Sequence, residues 1–180
     1  FFYALGAIKN VGYEAISNIV KERKKNGEFK NISNFINRVN PKDINKLQLE
    51  GLVKSGSFDE INLNRKSLFE SIPNIILKNK RQYENKEVNQ INLFQKEDKN
   101  DEEYLLKISD WSFEDRLSKE FETVGFFISD HPMNQFKDIF HEYGIINYDN
   151  FINNNKLSTT NIAATVLKVQ EKKTQKGTSF

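Results

Sequence analysis

The sequence contains no cysteine among its 180 residues, and only one methionine, one tryptophan and three prolines. Without cysteine the chain can form no disulfide, no thiolate nucleophile and no cysteine-ligated zinc site, which fits a reducing compartment. The two histidines, His131 and His141, are ten positions apart and lack the spacing of metal ligands. Disulfide-stabilised, thiol-dependent and cysteine-ligated zinc proteins are therefore excluded.

Long apolar segments are also missing. Apolar residues make up 37% of the chain, below the ~45–50% typical of globular domains, so part of it is not expected to pack into a core. No run approaches the ~18 apolar residues of a membrane span. The apolar opening has neither the basic region nor the cleavage site of a signal peptide. We expect a cytoplasmic protein without membrane contact and, since there is no initiator methionine, a piece of a larger one.

Recognisable catalytic motifs are absent from the sequence. It has no Gly-Lys-Ser/Thr phosphate loop, no nucleophile elbow and no dinucleotide-binding fingerprint. The paired acids Glu102-Glu103 and Glu114-Asp115 have the character of solvated surface. We therefore expect no catalytic residue, no metal site and no cofactor in this segment.

The net charge is only +2, but the charges are distributed unevenly. Residues 1–82 carry 15 basic and 8 acidic side chains, whereas residues 83–125 carry 6 and 12. Such asymmetry indicates separate roles for separate segments. The basic first part suits a polyanionic partner, although an ordinary solvated surface would have the same composition.

Helical periodicity dominates the first half of the chain. Apolar stripes with helical spacing occur at residues 13–26, 32–39, 41–54 and from 65 onward. Asn40 and Pro41 suit the N-cap and first position of the third of these helices, and Pro73 should split the fourth. Residues 5–25 and 32–54 thus predict two helix–turn–helix hairpins, the first hairpin and the second hairpin.

The rest of the chain changes character at residue 79. Residues 79–104 are polar apart from one apolar island, and we predict a mobile linker over residues 79–110. Helical periodicity returns at 112–128 with Ser112 as N-cap, and a short helix is predicted around Asn134–Tyr143. Residues 161–172 have the composition of a strand, and Thr174–Ser179 that of a hairpin turn.

The turn of the first hairpin has the sequence Leu5-Gly-Ala-Ile-Lys-Asn-Val-Gly-Tyr13. An apolar residue between small ones is typical of helix-hairpin-helix motifs, where the turn and the next helix start expose N–H groups that can hold a phosphate. Val11 would pack into the core, and Asn10 replaces the usual first glycine because asparagine tolerates the left-handed region. We predict DNA contacts here; an ordinary helical hairpin is the alternative. The predicted residues are Lys9, Asn10, Val11, Gly12 and Tyr13.

The turn of the second hairpin lacks the Gly-apolar-Gly form. Lys42, Asn45 and Lys46 lie near a helix start and are predicted to touch backbone phosphates. A solvated helix face explains each of them equally well.

The acidic segment contains one apolar island, Gln90-Ile-Asn-Leu-Phe94. A glutamine, two variable positions and Leu-Phe in a polar, flexible context have the form of a bacterial sliding-clamp-binding peptide. Leu93 and Phe94 would anchor in an apolar pocket of the partner, and Gln90 would hydrogen-bond at its edge. The alternative is that Leu93 and Phe94 pack back onto the chain's own domain.

Taken in order, these segments resemble one family. The stretches LGAIKNVG, QINLF, ETVGFFISDHPMNQF and KTQKGTSF follow one another in a way that resembles the C-terminal half of the bacterial replicative DNA polymerase III alpha subunit. That family has LGxIKxVG, a later LGxYLSGHPL-type stretch and a T-x-K-G turn in this order. This chain departs from the pattern at Asn10, where glycine is usual, and at Asp130, where the family often has glycine.

The resemblance implies a mainly α fold in four parts. These are a tandem helix-hairpin-helix DNA-binding domain at 1–78, a flexible linker with the clamp-binding peptide at 79–110, a helical connector at 111–160 and an incomplete OB-fold start at 161–180. The parent would be a DNA-directed DNA polymerase, a nucleotidyltransferase whose catalytic carboxylates and Mg²⁺ lie upstream. The segment itself would grip double-stranded DNA and attach the sliding clamp (beta subunit) for processive replication. Other replisome subunits would be further partners, as would single-stranded DNA through a complete OB-fold.

Three other interpretations fit parts of the same pattern. One is a stand-alone helix-hairpin-helix module of a repair or recombination scaffold. A second is a fragment of another DNA enzyme, such as a DNA ligase or an error-prone polymerase. The third is a structural helical adaptor, which would have no affinity for DNA at low salt.

Overall fold

The computed structural model describes residues 4–87, 103–154, 158–166 and 169–170. The chain divides into two units, Phe1–Ser129 and Asp130–Phe180. The described residues form α-helices and 3₁₀ turns but no strand, so the predicted mainly α class is confirmed. The helices are α1 (Tyr13–Asn26), α2 (Ile32–Arg38), α3 (Lys46–Lys54), α4 (Arg65–Glu70), α5 (Ile72–Glu87), α6 (Phe113–Val124), α7 (Lys137–Glu142) and α8 (Tyr148–Ile152).

The predicted apolar stripes of the two hairpins meet in the core of the first unit. α2 to α5 all contribute to it, and full burial of one such side chain stabilises the fold by ~1.5–3 kcal/mol. Phe35 packs edge-on against Phe29 and Phe58, with ring centroids 5.2 and 5.1 Å away. Core side chains that are at most 2% exposed include Ile36, Leu49, Val53, Leu68 and Ile72.

The second hairpin departs from the prediction at its turn. The prediction of a helix that begins at Pro41 is wrong, because Asn40 caps only the 3₁₀ turn Pro41–Asp43 and α3 begins at Lys46. Between the two, Ile44 is extended (φ −130°, ψ 133°) and its side chain is buried in the core. The extended backbone at Ile44 interrupts the helix and places its side chain in the core. Asn45 then caps the start of α3.

Pro73 divides the fourth apolar stripe as predicted. α4 ends at Glu70 and α5 starts at Ile72, so Pro73 lies in the first turn of α5, where a missing N–H breaks no helical hydrogen bond. α5 then continues to Glu87, through residues that composition assigned to the linker.

Asn79 accounts for that extension of α5. Its side chain is 1% exposed, and Nδ2 donates to the carbonyl oxygens of Ile36 at 2.7 Å and Val39 at 2.8 Å. Carbonyls at the end of a helix have no partner within the helix. A polar residue in a polar stretch therefore caps the C-terminus of α2 inside the unit.

Residues 103–110 also lie against the first unit, although composition placed them in the linker. Leu105 is buried in the core, and Tyr104 packs beside it. The N–H of Leu106 donates to Ser71 Oγ at 2.8 Å, and its carbonyl accepts from Ser67 Oγ at 2.6 Å. One serine on α4 and one at its end thus hold a segment predicted to belong to the linker.

α6 follows with the predicted cap. Ser112 Oγ accepts from the N–H of Asp115 at 3.1 Å, and the helix ends at the left-handed Gly125 (φ 90°). α6 ends a little earlier than the predicted 128, because Ile128 and Ser129 bind the side chain of Glu120 instead of continuing the helix.

The second unit contains the 3₁₀ turn Pro132–Phe136, α7 and α8, none of which buries a residue completely. His131 caps the 3₁₀ turn, with Nδ1 accepting from the N–H of Met133 at 3.2 Å. The predicted strand is not found at residues 161–166, where Ile162 is 81% exposed. A strand needs a partner to bond its backbone, and none is present among the described residues. The OB-fold start is therefore not visible, and the predicted turn Thr174–Ser179 lies outside the described residues.

Candidate nucleic-acid interface

Where the sequence predicted the first helix of the first hairpin, the structure has only the 3₁₀ turn Leu5–Ala7. The turn that follows adopts the conformation expected from its sequence. Asn10 has a φ of 66°, and no other described residue except glycine has a positive φ. The N–H of Val11 donates to the carbonyl of Ile8 at 3.1 Å, and both side chains are buried. Val11 therefore packs into the core as predicted, while Lys9 and Asn10 remain exposed at the apex.

Gly12 opens α1 immediately after this apex. Its backbone is extended (φ −73°, ψ 138°), and no side chain caps the helix there. The first N–H groups of a helix lack helical partners and carry partial positive charge, so the start of α1 presents donors to an anion. Tyr13 stands 82% exposed beside them. Glu14, in the same turn, opposes this field with its negative charge.

The start of α3 is built from a reciprocal cap. Asn45 Oδ1 accepts from the N–H of Gln48 at 2.9 Å, and Gln48 Oε1 accepts from the N–H of Asn45 at 3.0 Å. Asn45 and Lys46 are exposed, and Lys46 Nζ lies 3.9 Å from Glu50, its partner one turn on. Lys42 is exposed on the preceding 3₁₀ turn. This cap leaves the cation of Lys46 at the surface next to the helix start.

The starts of α1 and α3 lie side by side. Gln48 Nε2 is 3.5 Å from the position that a Cβ on Gly12 would occupy. Further along α3, a Cβ on Gly51 would lie 2.9 Å from the carbonyl oxygen of Lys9 and 3.1 Å from Val11 Cγ2. The absence of a side chain at Gly51 lets α3 approach the apex closely. The structure thus brings the residues of the first turn and Asn45 together. Lys42 lies farther along α1, because the neighbouring Asp43 accepts a hydrogen bond from Asn18 in the middle of that helix (2.8 Å).

Helix α6 contacts the same apex from the other side. The N–H of Lys9 donates to the carbonyl of Thr123 at 3.1 Å. α6 is fixed in turn by an ion pair between Glu120 Oε1 and Arg65 Nη1 at 2.7 Å, with side chains 0% and 3% exposed. The apex of the first hairpin is therefore positioned by a buried pair that joins α4 to α6.

Glu120 is surrounded by donors. Its Oε2 accepts from the N–H groups of Ile128 at 2.9 Å and Ser129 at 3.0 Å, and Oε1 also accepts from Ser129 Oγ at 2.6 Å. Burial acts to raise the pKa of Glu120, but the hydrogen bonds from Ser129, Arg65 and Ile128 outweigh burial and lower that pKa below its ordinary value. Arg65 is held on its other edge by both carboxylate oxygens of Asp59, at 2.8 and 2.6 Å. The group is thus a charged, ordered network at neutral pH.

Comparison of the sequence with known proteins finds one matching family and several similar proteins. Residues 1–68 match the helix-hairpin-helix motif family. Proteins named DNA polymerase III subunit alpha are 36% identical over 178 residues in Rickettsia conorii, 39% over 146 in Rickettsia prowazekii and 34% over 149 in Borreliella burgdorferi. The alignments cover 97%, 81% and 81% of this chain. This chain is homologous to a segment of the DNA polymerase III alpha subunit. It spans 15%, 12% and 13% of the length of these three relatives.

Three features that organise this part of the chain were not predicted from the sequence. Two of them have a local signal: the reciprocal cap of Asn45 and Gln48 has the spacing of a capping box, and Gly51 is a glycine inside an apolar helical stripe. Glu120 and Arg65 gave no such signal, because an acid and a base 55 positions apart look like surface charges until the fold joins them.

The predicted clamp-binding residues of the chain have no structural account. Gln90, Leu93 and Phe94 lie outside the described residues. Within the residues that the structure describes, no group of three or more histidine, aspartate or glutamate side chains could hold a metal ion. No helix in that part of the chain is long and apolar enough to cross a membrane.

Proposed function

We propose that the first unit binds duplex DNA through the phosphate backbone, without reading sequence. The observation that carries this proposal is the meeting of two helix starts, at Gly12 and Asn45, beside exposed lysines. The match of residues 1–68 to the helix-hairpin-helix family supports it. The residues assigned to the contact are Lys9, Asn10, Val11, Gly12, Tyr13, Lys42, Asn45 and Lys46.

Each part of this site has a physical role. The helix starts would offer N–H donors to phosphate oxygens, and Lys9 and Lys46 would add charge. Val11 would act by holding the turn from the core, because its side chain is buried. Contacts of this kind fix the position of a protein on the duplex but do not distinguish bases. The affinity should therefore be insensitive to sequence and strongly dependent on salt.

The test is a fluorescence-anisotropy titration of the chain with labelled duplexes of two unrelated sequences between ~50 and ~200 mM salt. We expect equal affinity for both sequences and a steep fall with salt. Lys9→Gln/Lys46→Gln should weaken binding and flatten the salt dependence. Glu14→Gln, which removes the acid from the start of α1, should strengthen binding. Absence of affinity at the lowest salt would contradict the proposal and favour a structural adaptor.

A second proposal concerns attachment to the sliding clamp (beta subunit). The form of Gln90-Ile-Asn-Leu-Phe94 supports it, together with the polymerase names of the relatives. Leu93→Ala/Phe94→Ala should abolish binding to immobilised clamp, while Ile91→Ala/Asn92→Ala at the variable positions should retain most of it. Equal binding by both double variants would show that this peptide is not the attachment point.

For the whole protein we propose the role of a replicative DNA-directed DNA polymerase, a nucleotidyltransferase in the cytoplasm. Its catalytic carboxylates and Mg²⁺ would lie outside this segment. The segment would then supply duplex grip and processivity, in contact with other replisome subunits and, through a complete OB-fold, with single-stranded DNA. The names of the relatives support this role. We also propose the four-part division at 1–78, 79–110, 111–160 and 161–180. In the structure, the end of α5 and residues 103–110 pack with the first of these parts.

A further inference from the structure

A cleft of about 250 Å³ runs between α1 and the 3₁₀ turn Pro41–Asp43, on the flank of the first unit. It is open to solvent. Its ionisable lining consists of Lys21, Glu22, Lys25, Arg38 and Asp43. Three cations thus face two acids in a concave surface.

Both acids of the cleft are already engaged. Glu22 Oε1 accepts from Arg38 Nε at 3.0 Å and from Asn26 Nδ2 at 2.8 Å. Asp43 Oδ1 accepts from Asn18 Nδ2 at 2.8 Å. These bonds hold the walls of the cleft, so neither carboxylate needs a lysine as partner.

The two lysines of the cleft are left without an ion-pair partner. Arg38 uses its remaining donors on the carbonyls of Gly27 at 2.7 Å and Glu28 at 3.1 Å, so it serves the fold. Lys21 and Lys25 are exposed, and neither forms an ion pair with any residue that the structure describes. Hydrogen bonds from Asn26 and Arg38 and, more weakly, the charge of Lys25 lower the pKa of Glu22. The cleft as a whole still has one more cation than acids, so it can attract an external anion.

The spacing of these lysines suits the phosphates of a duplex that also reaches the hairpin apex. Lys21 and Lys25 are one helical turn apart on α1, and they lie ~14–20 Å along the helix from Gly12 at 1.5 Å per residue. A strand of B-DNA rises ~3.4 Å per phosphate, so that distance corresponds to roughly four to six base pairs. One duplex would contact the apex and the cleft together only if it lay along the side of α1, so the proposal includes that orientation.

We propose that this cleft is a second phosphate-binding site, at which Lys21 and Lys25 hold the backbone of the duplex bound by the two helix starts. The inference rests on the proposed function, since it extends that footprint along α1. The lysines contribute charge without base contacts, so they add affinity and salt dependence but no sequence preference.

The experiment compares the wild-type chain with Lys21→Gln/Lys25→Gln on a labelled duplex of about 20 base pairs, long enough to span both sites. Each phosphate contact contributes ~0.9 to the slope of log affinity against log salt. Loss of the two contacts should therefore lower that slope by ~1.8 and weaken binding at low salt at least several-fold. Circular dichroism would verify that the helices are intact.

The matched control is Arg23→Gln/Lys30→Gln. It removes the same charge from the same unit, but at the apolar groove beside Phe29 and Phe58. A slope change confined to Lys21→Gln/Lys25→Gln supports the cleft. Equal effects of the two double variants would overturn this inference and leave the proposed function intact. A wild-type chain without affinity for the duplex would overturn both.

Discussion

The backbone N–H of Lys9 donates a hydrogen bond to the carbonyl oxygen of Thr123 at 3.1 Å, across more than one hundred residues of sequence. On its other side, the carbonyl of Lys9 faces Gly51 so closely that a Cβ there would lie 2.9 Å away. The exposed apex of the first hairpin is thus held between α3 and α6. Substitutions at the contacts of α3 and α6 with the apex should therefore alter the surface proposed to bind DNA.

Gly51→Ala tests the close approach of α3. Alanine normally stabilises a helix interior relative to glycine by ~0.5–1 kcal/mol. Here the added Cβ would collide with backbone, and we expect a loss of ~1–3 kcal/mol in unfolding free energy, as for other overpacked sites. Urea denaturation measures the loss, and duplex affinity should fall with it.

Gly12→Ala is the matched control for that substitution. Its Cβ would meet only Gln48 Nε2, at an ordinary 3.5 Å. We expect stability within ~1 kcal/mol of wild type, the range of N-cap effects, but weaker duplex binding because the methyl group stands where a phosphate would approach. A Gly12→Ala chain with undiminished affinity would argue against phosphate contact at the start of α1.

Asn10 should accept glycine but not alanine. At a φ of 66°, Asn10→Gly should keep stability within ~0.5 kcal/mol, whereas Asn10→Ala should cost ~1 kcal/mol for the left-handed conformation. Thermal unfolding followed by circular dichroism compares the two. Equal stability of the two variants would mean that the turn relaxes to another conformation.

Glu120→Gln should show how the buried ion pair depends on pH. The pKa of Glu120 is lower in the folded chain, so its ionised form stabilises the fold fully above the ordinary carboxyl pKa of ~4.3. This stabilisation is lost as the pH falls through the lowered value. We expect Glu120→Gln to cost ~1.5–3 kcal/mol at neutral pH, because Arg65 loses its charge-assisted hydrogen bond to Glu120 but keeps Asp59. The deficit should shrink below about pH 4.

Urea denaturation of wild type and Glu120→Gln across this pH range measures the change. Glu60→Gln, at an exposed position, is the control and should differ little from wild type at any pH. A deficit for Glu120→Gln that stays constant with pH would show that packing, not charge, is what the glutamate contributes.

Asn79→Ala should destabilise the first unit although Asn79 lies in a polar stretch. The substitution removes the two hydrogen bonds to the end of α2, each with a net contribution of ~0.5–1.5 kcal/mol, and leaves buried carbonyls unpaired. We expect a loss of ~2–3 kcal/mol in unfolding free energy. Asn85→Ala, at an exposed position on the same helix, should be nearly neutral. If both substitutions are neutral, α5 does not hold α2 in solution.

The helices with strong apolar stripes could be predicted from the sequence, and so could the cap at Ser112. The boundaries of the proposed linker could not. Asn79 lies in a polar stretch of the sequence, but carbonyls at the end of α2 accept from its side chain in the fold. Leu106 follows a polar stretch, and two serine hydroxyls bind its backbone. The composition of a segment gives only its average polarity, whereas packing depends on the contacts that each side chain makes in the fold.

The local sequence by itself determined the hairpin turn. The positive φ at Asn10, the buried Val11 and the uncapped start of α1 all follow from residues within a few positions of one another. Only the tertiary structure decided that α3 lies beside this turn at Gly51 and that Glu120 and Arg65 fix α6 behind it. The physical reason is range: caps and left-handed turns are set by neighbouring atoms, whereas a close approach or a buried ion pair exists only after distant segments share one core.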